Sequence, residues 1–208
     1  SSTTRSNWFL LGNAAFKTSG SSDVLRLNEA YTSHVGNGVF NVPFTVEASD
    51  YLDVQFNYSS YGGTGAGGLA FYLLDGSVQP SLGDMGGAVG YQGVTGGYFG
   101  VVFDEYHGQV KILGSGSGDT GFNELMSVAA SVGGSGKHAH IVFENNHVSV
   151  WLNNKPLINK FDLTTAAGQA ALPSTFKFGF SGATGAGTNI HEVDNLNVQF
   201  RAPITGIR

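Results

Sequence analysis

The sequence predicts an all-β domain, built as a two-layer sandwich or jelly roll of antiparallel strands. Hydrophobic residues make up 41% of the 208 residues and charged residues only 12%, which is enough apolar material to fill one large β core. Short segments alternate apolar and polar residues with a period of two, and turns rich in glycine separate them. Frequent turns between such segments are typical of a sandwich or a barrel.

The individual strands are predicted from local patterns. Four segments show period-two alternation: 53–58, 148–153, 176–180 and 196–201. The run LAFYLL at 69–74 is entirely apolar and stops at the turn dipeptide Asp75-Gly76, which indicates a buried strand. Segment 121–130 has no sustained helical stripe, and it fits a helix and a strand equally well.

The glycine-rich segment GGTGAGG at 62–68 raises a nucleotide-binding hypothesis, because 63–68 fits G-x-G-x-x-G. A dinucleotide site also requires a helix that begins at the glycines and directs its N–H groups at the pyrophosphate. The apolar strand 69–74 follows instead, so we reject that interpretation. The glycines instead indicate a loop at one end of a sheet, where backbone approaches another group closely. The tetrapeptide TGAG at 64–67 recurs in a second predicted loop, at 184–187.

Charge and composition exclude several function classes. Net charge is −5 and the ten Lys and Arg residues form no basic run, so we expect no nucleic-acid binding. The absence of cysteine excludes disulfides, zinc–thiolate sites and thiol catalysis. No apolar run reaches transmembrane length, so we expect no membrane insertion. His138 and His140 share one face of a predicted strand, either as half of a zinc site or, as we favour, as surface imidazoles.

Five stretches in chain order resemble the L-type (legume-lectin-like) lectins: WFLLGNA with VLRL at 8–27, VGNGVF at 35–40, GAGGLAFYL at 65–73, GYFGVVFDEY at 97–106, and FGFSGATG with HEV at 178–193. They look most like the bacterial branch found in large surface adhesins. The resemblance implies a concanavalin A-like jelly-roll sandwich with a flat back sheet, a curved front sheet and a small top sheet. It implies a lectin-like domain at 1–201, with 202–208 beginning a linker.

In that family, sugar binds in loops at the concave end, beside calcium that supports a non-proline cis peptide. The family's sugar-binding Asp falls at Gly67 here, so its carboxylate is missing. Asp84 is a candidate to replace that carboxylate. The backbone N–H of Gly86 or Gly87 matches the family's second sugar loop.

Aromatic and amide residues near the same loops are further candidates for sugar contact. Tyr61 and Tyr106 are the two rings on which we expect a sugar to stack, since sugars present C–H faces to aromatic rings. Asn189, after the second TGAG, is a candidate to bond sugar hydroxyls, although turn chemistry explains it equally well. His191 matches the family's His-Glu pair on the last strand, where we expect a structural hydrogen bond.

The metal site implied by the resemblance is incomplete. Val102 stands where the family has a Glu ligand, while Asp104 matches the shared Asp and Tyr106 matches a residue whose carbonyl binds calcium. Glu105 and the distant Asp119 complete a candidate set of oxygen ligands for Ca²⁺. Asp104 and Glu105 are adjacent, so on a strand they point to opposite faces. The alternative is a metal-free loop in which Asp104 caps a turn.

The resemblance implies a non-catalytic carbohydrate-binding domain, one module of a bacterial surface adhesin that is extracellular at the cell surface. Its partners are then glycans and other domains of the same large protein. Glucanases that share the fold carry E-x-D-x-x-E on one strand face, but EVDNLN at 192–197 lacks the second Glu, so we expect no enzyme. The alternative is a structural or protein-binding domain that has lost sugar affinity.

Overall fold

A computed structural model describes residues 5–46, 51–115 and 123–201, which fold as two antiparallel sheets packed face to face. The strands in chain order are β1 Trp8–Gly12, β2 Ala15–Ser19, β3 Ser22–Asn28, β4 Val35–Phe44, β5 Tyr51–Tyr61, β6 Gly68–Asp75, β7 Gly97–Asp104, β8 Gln109–Leu113, β9 Glu124–Ala129, β10 Gly134–Glu144, β11 His147–Leu152, β12 Lys155–Asp162, β13 Phe176–Ala183 and β14 Ile190–Arg201. The helical elements of the described residues are two short 3-10 turns, Gly86–Ala88 and Leu163–Thr165. The all-β prediction is therefore confirmed.

Each sheet has seven strands. Sheet A has the order β1-β4-β13-β6-β7-β8-β9, and sheet B has the order β12-β11-β10-β5-β14-β3-β2. Segment 121–130, which the sequence left open between helix and strand, contains β9 at the edge of sheet A. The described strands form only these two sheets, without the small third sheet that the resemblance implies. Residues of a loop at 76–96 pack on the outer face of sheet A. No helix in the described part of the chain is long and apolar enough to span a membrane.

Strand β6 is buried on both faces, which explains its unbroken apolar run. Leu69, Phe71 and Leu73 enter the core between the two sheets, where Phe71 contacts Phe180 at 5.5 Å between ring centroids. The alternate residues, including Tyr72, belong to a second cluster under the 76–96 loop. Period-two alternation therefore holds along β6, although both sets of side chains are apolar.

The strand register aligns four residues in a row across one end of sheet A. Gly68 pairs with Ala183 on one side and with Asp104 on the other, and Ala183 pairs with Val35. The loops that begin or end at this row therefore meet at the same end of the sandwich. These loops include both TGAG segments and the turn after β7, so the fold itself assembles the candidate site.

Candidate functional site

A cavity of about 290 Å³, the rim pocket, opens at this end of the sandwich. It is lined by Ala66, Gly67, Gly86, Gly87, Val89, Asp104, Tyr106, His107, Gly185, Ala186 and Gly187. Five of these residues are glycine, so much of the wall is backbone. The volume lies near the lower end of the range for small-molecule sites.

The first TGAG segment is hydrogen-bonded directly to Thr188, the residue that follows the second TGAG segment. The Thr64 N–H donates to the Thr188 carbonyl at 2.8 Å, and the Thr188 N–H donates to Thr64 Oγ1 at 3.0 Å. The Gly86 N–H donates to the Thr184 carbonyl at 3.0 Å, which joins the third glycine-rich loop to the second TGAG segment. The two copies of the tetrapeptide therefore lie side by side in the lining of one cavity.

Buried polar side chains hold the 83–90 loop against sheet A. Asn37 is fully buried; its Nδ2 donates to the Gly90 carbonyl at 2.9 Å, and its Oδ1 accepts from the Gly83 N–H at 3.2 Å. Ser181 Oγ donates to the Val89 carbonyl at 2.8 Å. Sequence reasoning missed Asn37, and its signal is an amide in the apolar stretch VGNGVF, where a buried polar group needs partners.

A buried network lies beneath the rim, centred on Glu105. Its Oε1 accepts from His191 Nε2 at 2.6 Å and from Ser60 Oγ, and its Oε2 accepts from Asn189 Nδ2 at 2.8 Å. His191 Nδ1 lies 2.9 Å from Asn28 Oδ1, while Asn28 Nδ2 donates to the Asn189 carbonyl at 2.8 Å. Both ring nitrogens of His191 therefore lie within hydrogen-bond distance of a side-chain oxygen. The structural hydrogen bond predicted for His191 is confirmed.

This network makes the stability of the domain sensitive to acid. Burial by itself raises the pKa of Glu105, but hydrogen bonds from His191 and Ser60, with the charge of His191, outweigh burial and hold that pKa below its ordinary value of 4.5. A depressed folded-state pKa stabilises the protein above the unfolded-state pKa, and this stabilisation is lost as pH falls through the folded-state value. We expect the Tm of the wild type to fall more steeply below pH 4.5 than that of Glu105→Gln. Parallel Tm curves from pH 6 to pH 3 would contradict this expectation.

The structure brings only part of the predicted site together. Gly67, Gly86, Gly87, Tyr106 and Asp104 line the rim pocket, and Tyr106 is 75% exposed there. The Ala66–Gly67 peptide is trans, as are all peptides among the described residues, whereas the resemblance implies a non-proline cis bond. Four other candidates do not line the pocket: Asp84, Tyr61, Asn189 and Glu105.

Two of these four point elsewhere because neighbouring groups hold them. The Asp84 carboxylate packs against Gly93, because a Cβ atom added to Gly93 would lie 2.9 Å from Asp84 Oδ2. In this geometry Asp84 therefore does not replace the carboxylate that is missing at Gly67. The Tyr61 hydroxyl donates to Glu192 Oε1 at 2.9 Å and accepts from Arg26 Nη2 at 3.4 Å. Tyr61 therefore belongs to an ion-pair network on sheet B.

The other two are committed to the buried network. Asn189 is 5% exposed, and its Oδ1 accepts from the Gly63 N–H at 2.9 Å while its Nδ2 donates to Glu105. Glu105 points inward, with both carboxylate oxygens bonded to protein groups. In this geometry neither side chain is directed at the rim pocket, so these contacts lend no support to sugar binding by Asn189 or metal binding by Glu105. Both residues instead support the loops from below.

The Asp104 carboxylate faces the opposite way and is held by protein cations and donors. Its Oδ1 accepts from the His107 N–H at 3.0 Å, and its Oδ2 lies 2.8 Å from Lys111 Nζ and 2.7 Å from His107 Nδ1. Burial raises the pKa of Asp104, but the hydrogen bonds from Lys111 and His107 outweigh it and hold that pKa below its ordinary value. Asp104 therefore caps the turn at 104–107 through the bond that it accepts from the His107 N–H.

The donor set of the described residues does not fit a calcium site. Calcium takes six or more oxygen ligands, yet Asp104 already binds a lysine and Glu105 is turned inward. Within the described residues, no group of three His, Cys, Asp or Glu side chains is arranged to hold a metal ion. Asp119 lies outside the described residues.

The histidine pair at 138 and 140 and the EVDNLN segment, both considered as sites in the sequence, also have structural partners. His138 Nδ1 lies 2.9 Å from Asn57 Oδ1, and the His140 ring stacks on Trp151 at 4.8 Å. The Glu192 carboxylate, which is part of EVDNLN, bonds Arg26 Nε at 3.0 Å. Each of these side chains is thus engaged with a neighbouring residue of sheet B.

Comparison with known proteins gives the fold its class. No family model matches the sequence, and no curated protein matches it. Lectin II from Ulex europaeus superimposes with a TM-score of 0.69 at 20% identity, over 94% of this chain and 93% of that chain. Arcelin-5, a lectin-like defence protein from Phaseolus vulgaris, gives 0.71 at 16% identity, over 95% and 93%.

The exoplasmic/lumenal domain of VIP36, in a Ca²⁺/Man-bound form, is also similar. Its TM-score is 0.69 at 16% identity, over 96% of this chain and 84% of that chain. At such identities the likeness establishes the fold, which is the legume-lectin jelly-roll sandwich. The concanavalin A-like architecture predicted from the sequence is thereby confirmed.

Proposed function

We propose that this domain binds glycans, without catalysis, at the rim pocket. The observation that carries the proposal is the convergence of three glycine-rich loops and the exposed Tyr106 around one cavity. The similar structures support it, since they include lectin UEA-II complexed with galactose and VIP36 in a Ca²⁺/Man-bound form.

The geometry supports recognition through backbone and a single aromatic surface. Glycine-lined walls allow a ligand to approach main-chain N–H and C=O groups closely, and these groups match sugar hydroxyls. Tyr106 and His107 pack edge to face at 4.9 Å between ring centroids, which presents the Tyr106 ring at the mouth. With few side-chain contacts, single-site affinity is weak and repeated domains would raise it through multivalency.

The proposal extends to the setting of the domain. From the resemblance in sequence, residues 1–201 form one lectin-like module of a bacterial surface adhesin, and 202–208 begin the linker to its other domains. In that setting the domain lies outside the cell and its partners are surface or matrix glycans. Binding of the isolated domain to bacterial or host surfaces, competed by free sugar, tests this extension.

Replacing Tyr106 with alanine tests the proposed site. We expect glycan affinity to fall about 3- to 10-fold, because an aromatic contact contributes about 0.5–1.5 kcal/mol. The Tm is expected to stay within about 1 °C, because Tyr106 is exposed and exposed substitutions cost little. The measurement is a glycan array followed by titration calorimetry on the best ligand.

Phe9→Ala is the matched control, since Phe9 is a 44% exposed aromatic residue that does not line the rim pocket. It is expected to leave glycan affinity unchanged. Equal glycan affinity for the wild type and Tyr106→Ala would show that Tyr106 does not contribute to the site.

The second candidate function is structural or protein-binding, and the missing carboxylate at Gly67 favours it. Asp84 does not supply a replacement in this geometry. A wild-type domain that binds no sugar on the array, with or without EDTA, would favour this second function over the first.

A further inference from the structure

Lys111 places a fixed positive charge directly behind the rim pocket. It lies on β8 opposite Val102 of β7, the position where the resemblance calls for an acidic metal ligand. Its Nζ is 2.8 Å from Asp104 Oδ2 and 3.4 Å from Glu124 Oε2, and the side chain is only 13% exposed. A largely buried ammonium therefore lies between two carboxylates, one on each of the strands that flank β8.

We propose that the Lys111 ammonium replaces a bound metal ion, so that the rim of this domain is held in position without calcium. The ammonium contacts the rim pocket through Asp104, and through Asp104 the charge acts on the turn at 104–107. Lys111 is thus a positioning residue for the loops.

The connections from Lys111 to the rim are direct. One carboxylate oxygen of Asp104 contacts Lys111, and the other accepts a hydrogen bond from the His107 N–H. The second bond closes the turn that carries Tyr106. The Glu105 N–H then donates to the Gly67 carbonyl at 3.1 Å, which ties this turn to the first TGAG segment. The turn that Lys111 holds through Asp104 therefore carries Tyr106 and is bonded to the first TGAG segment.

Local charge balance also favours the ammonium over calcium. The charged groups that face Lys111 are Asp104 of β7 and Glu124 of β9, with His107 on the far side of the Asp104 carboxylate. Burial lowers the pKa of Lys111, but the contacts with Asp104 and Glu124 outweigh it and hold that pKa above its ordinary value. A calcium ion on Asp104 would have to displace this like-charged group.

The test measures metal dependence of stability, and it does not rely on sugar binding. We expect the Tm of the wild-type domain to be the same, within about 1 °C, in EDTA and in 5 mM CaCl₂. A bound ion at 100 times its Kd would raise the Tm by roughly 5–10 °C for a chain of this size. A rise of that size on adding CaCl₂ after EDTA treatment would overturn the proposal.

Hydrogen exchange tests the role of the lysine itself. We expect Lys111→Met to increase amide exchange at 105–108 by about tenfold or more, and Lys111→Arg, which keeps the charge, to restore most of the protection. Lys155→Met, an exposed lysine on β12, is the control and is expected to change nothing there. Unchanged exchange in Lys111→Met would contradict the proposal, and if that variant does not fold, the wild-type calcium comparison decides.

Discussion

Glu105→Ala is expected to lower the free energy of unfolding by about 3–5 kcal/mol, because three buried side chains lose the carboxylate to which they are hydrogen-bonded. The substitution removes the carboxylate oxygen that lies 2.6 Å from His191 Nε2, in a site where the His191 side chain is fully buried. It also leaves Ser60 and Asn189 without the acceptor that both now use. Each unsatisfied buried group adds to the loss.

In Glu105→Ala, the loss of local stability is expected to be greatest at the loops of the rim. Asn189 accepts from the Gly63 N–H, so loosening Asn189 releases the start of the first TGAG segment. Hydrogen exchange in Glu105→Ala should therefore rise first at 62–67 and at 188–190, while the central strand β6 stays protected. Urea denaturation followed by tryptophan fluorescence gives the global value.

Glu144→Ala provides the matched control. Glu144 also carries an ion pair, 3.3 Å from Lys160, but its side chain is 33% exposed. Such pairs contribute about 0–1 kcal/mol, so this variant is expected to unfold nearly as the wild type does. Equal destabilisation by the two substitutions would show that the buried network adds nothing special.

The features that the sequence predicts well are local ones. Alternation is a property of a few neighbouring residues, so it predicts that Asp104 and Glu105 point to opposite faces. The structure confirms this, because Asp104 contacts Lys111 and Glu105 contacts His191. Placing both carboxylates in one calcium shell conflicted with that alternation.

The features that the sequence predicts poorly depend on register between distant strands. Nothing near Lys111 in the chain shows that it lies opposite Val102 and within reach of Glu124, which is supplied by the next strand. Likewise, Asn189 and Tyr61 lie beside the predicted loops in sequence, but the fold turns their polar groups toward Glu105 and Glu192, which are distant in the chain. Proximity to a loop along the chain is therefore weak evidence for contact with a ligand.

Gly67 determines whether the missing carboxylate can be restored. Its φ is +83°, and a Cβ at this position would lie 2.0 Å from the Ala183 carbonyl oxygen. That oxygen is backbone at the end of β13, so it has little freedom to move aside. Any side chain at Gly67, including the family's Asp, therefore requires the rim to rearrange.

Gly67→Ala is expected to lower the free energy of unfolding by about 4 kcal/mol or more, because steric overlap with backbone adds to the strain of a left-handed conformation. Gly65→Ala separates the two effects, since Gly65 has the same φ of +83° but no neighbouring atom within 4 Å of the methyl group that alanine would add. It is expected to cost only about 1–2 kcal/mol, the strain alone.

Gly67→Asp tests stability and sugar binding in the same variant. If the clash governs the site, this variant loses stability as Gly67→Ala does and gains no sugar affinity, although it restores the family's residue. Urea denaturation of all three variants, with a glycan array on Gly67→Asp, makes the comparison. Similar stability of Gly65→Ala and Gly67→Ala, or new sugar binding by Gly67→Asp, would mean that the rim adapts and that the pocket geometry is not fixed by glycine at this position.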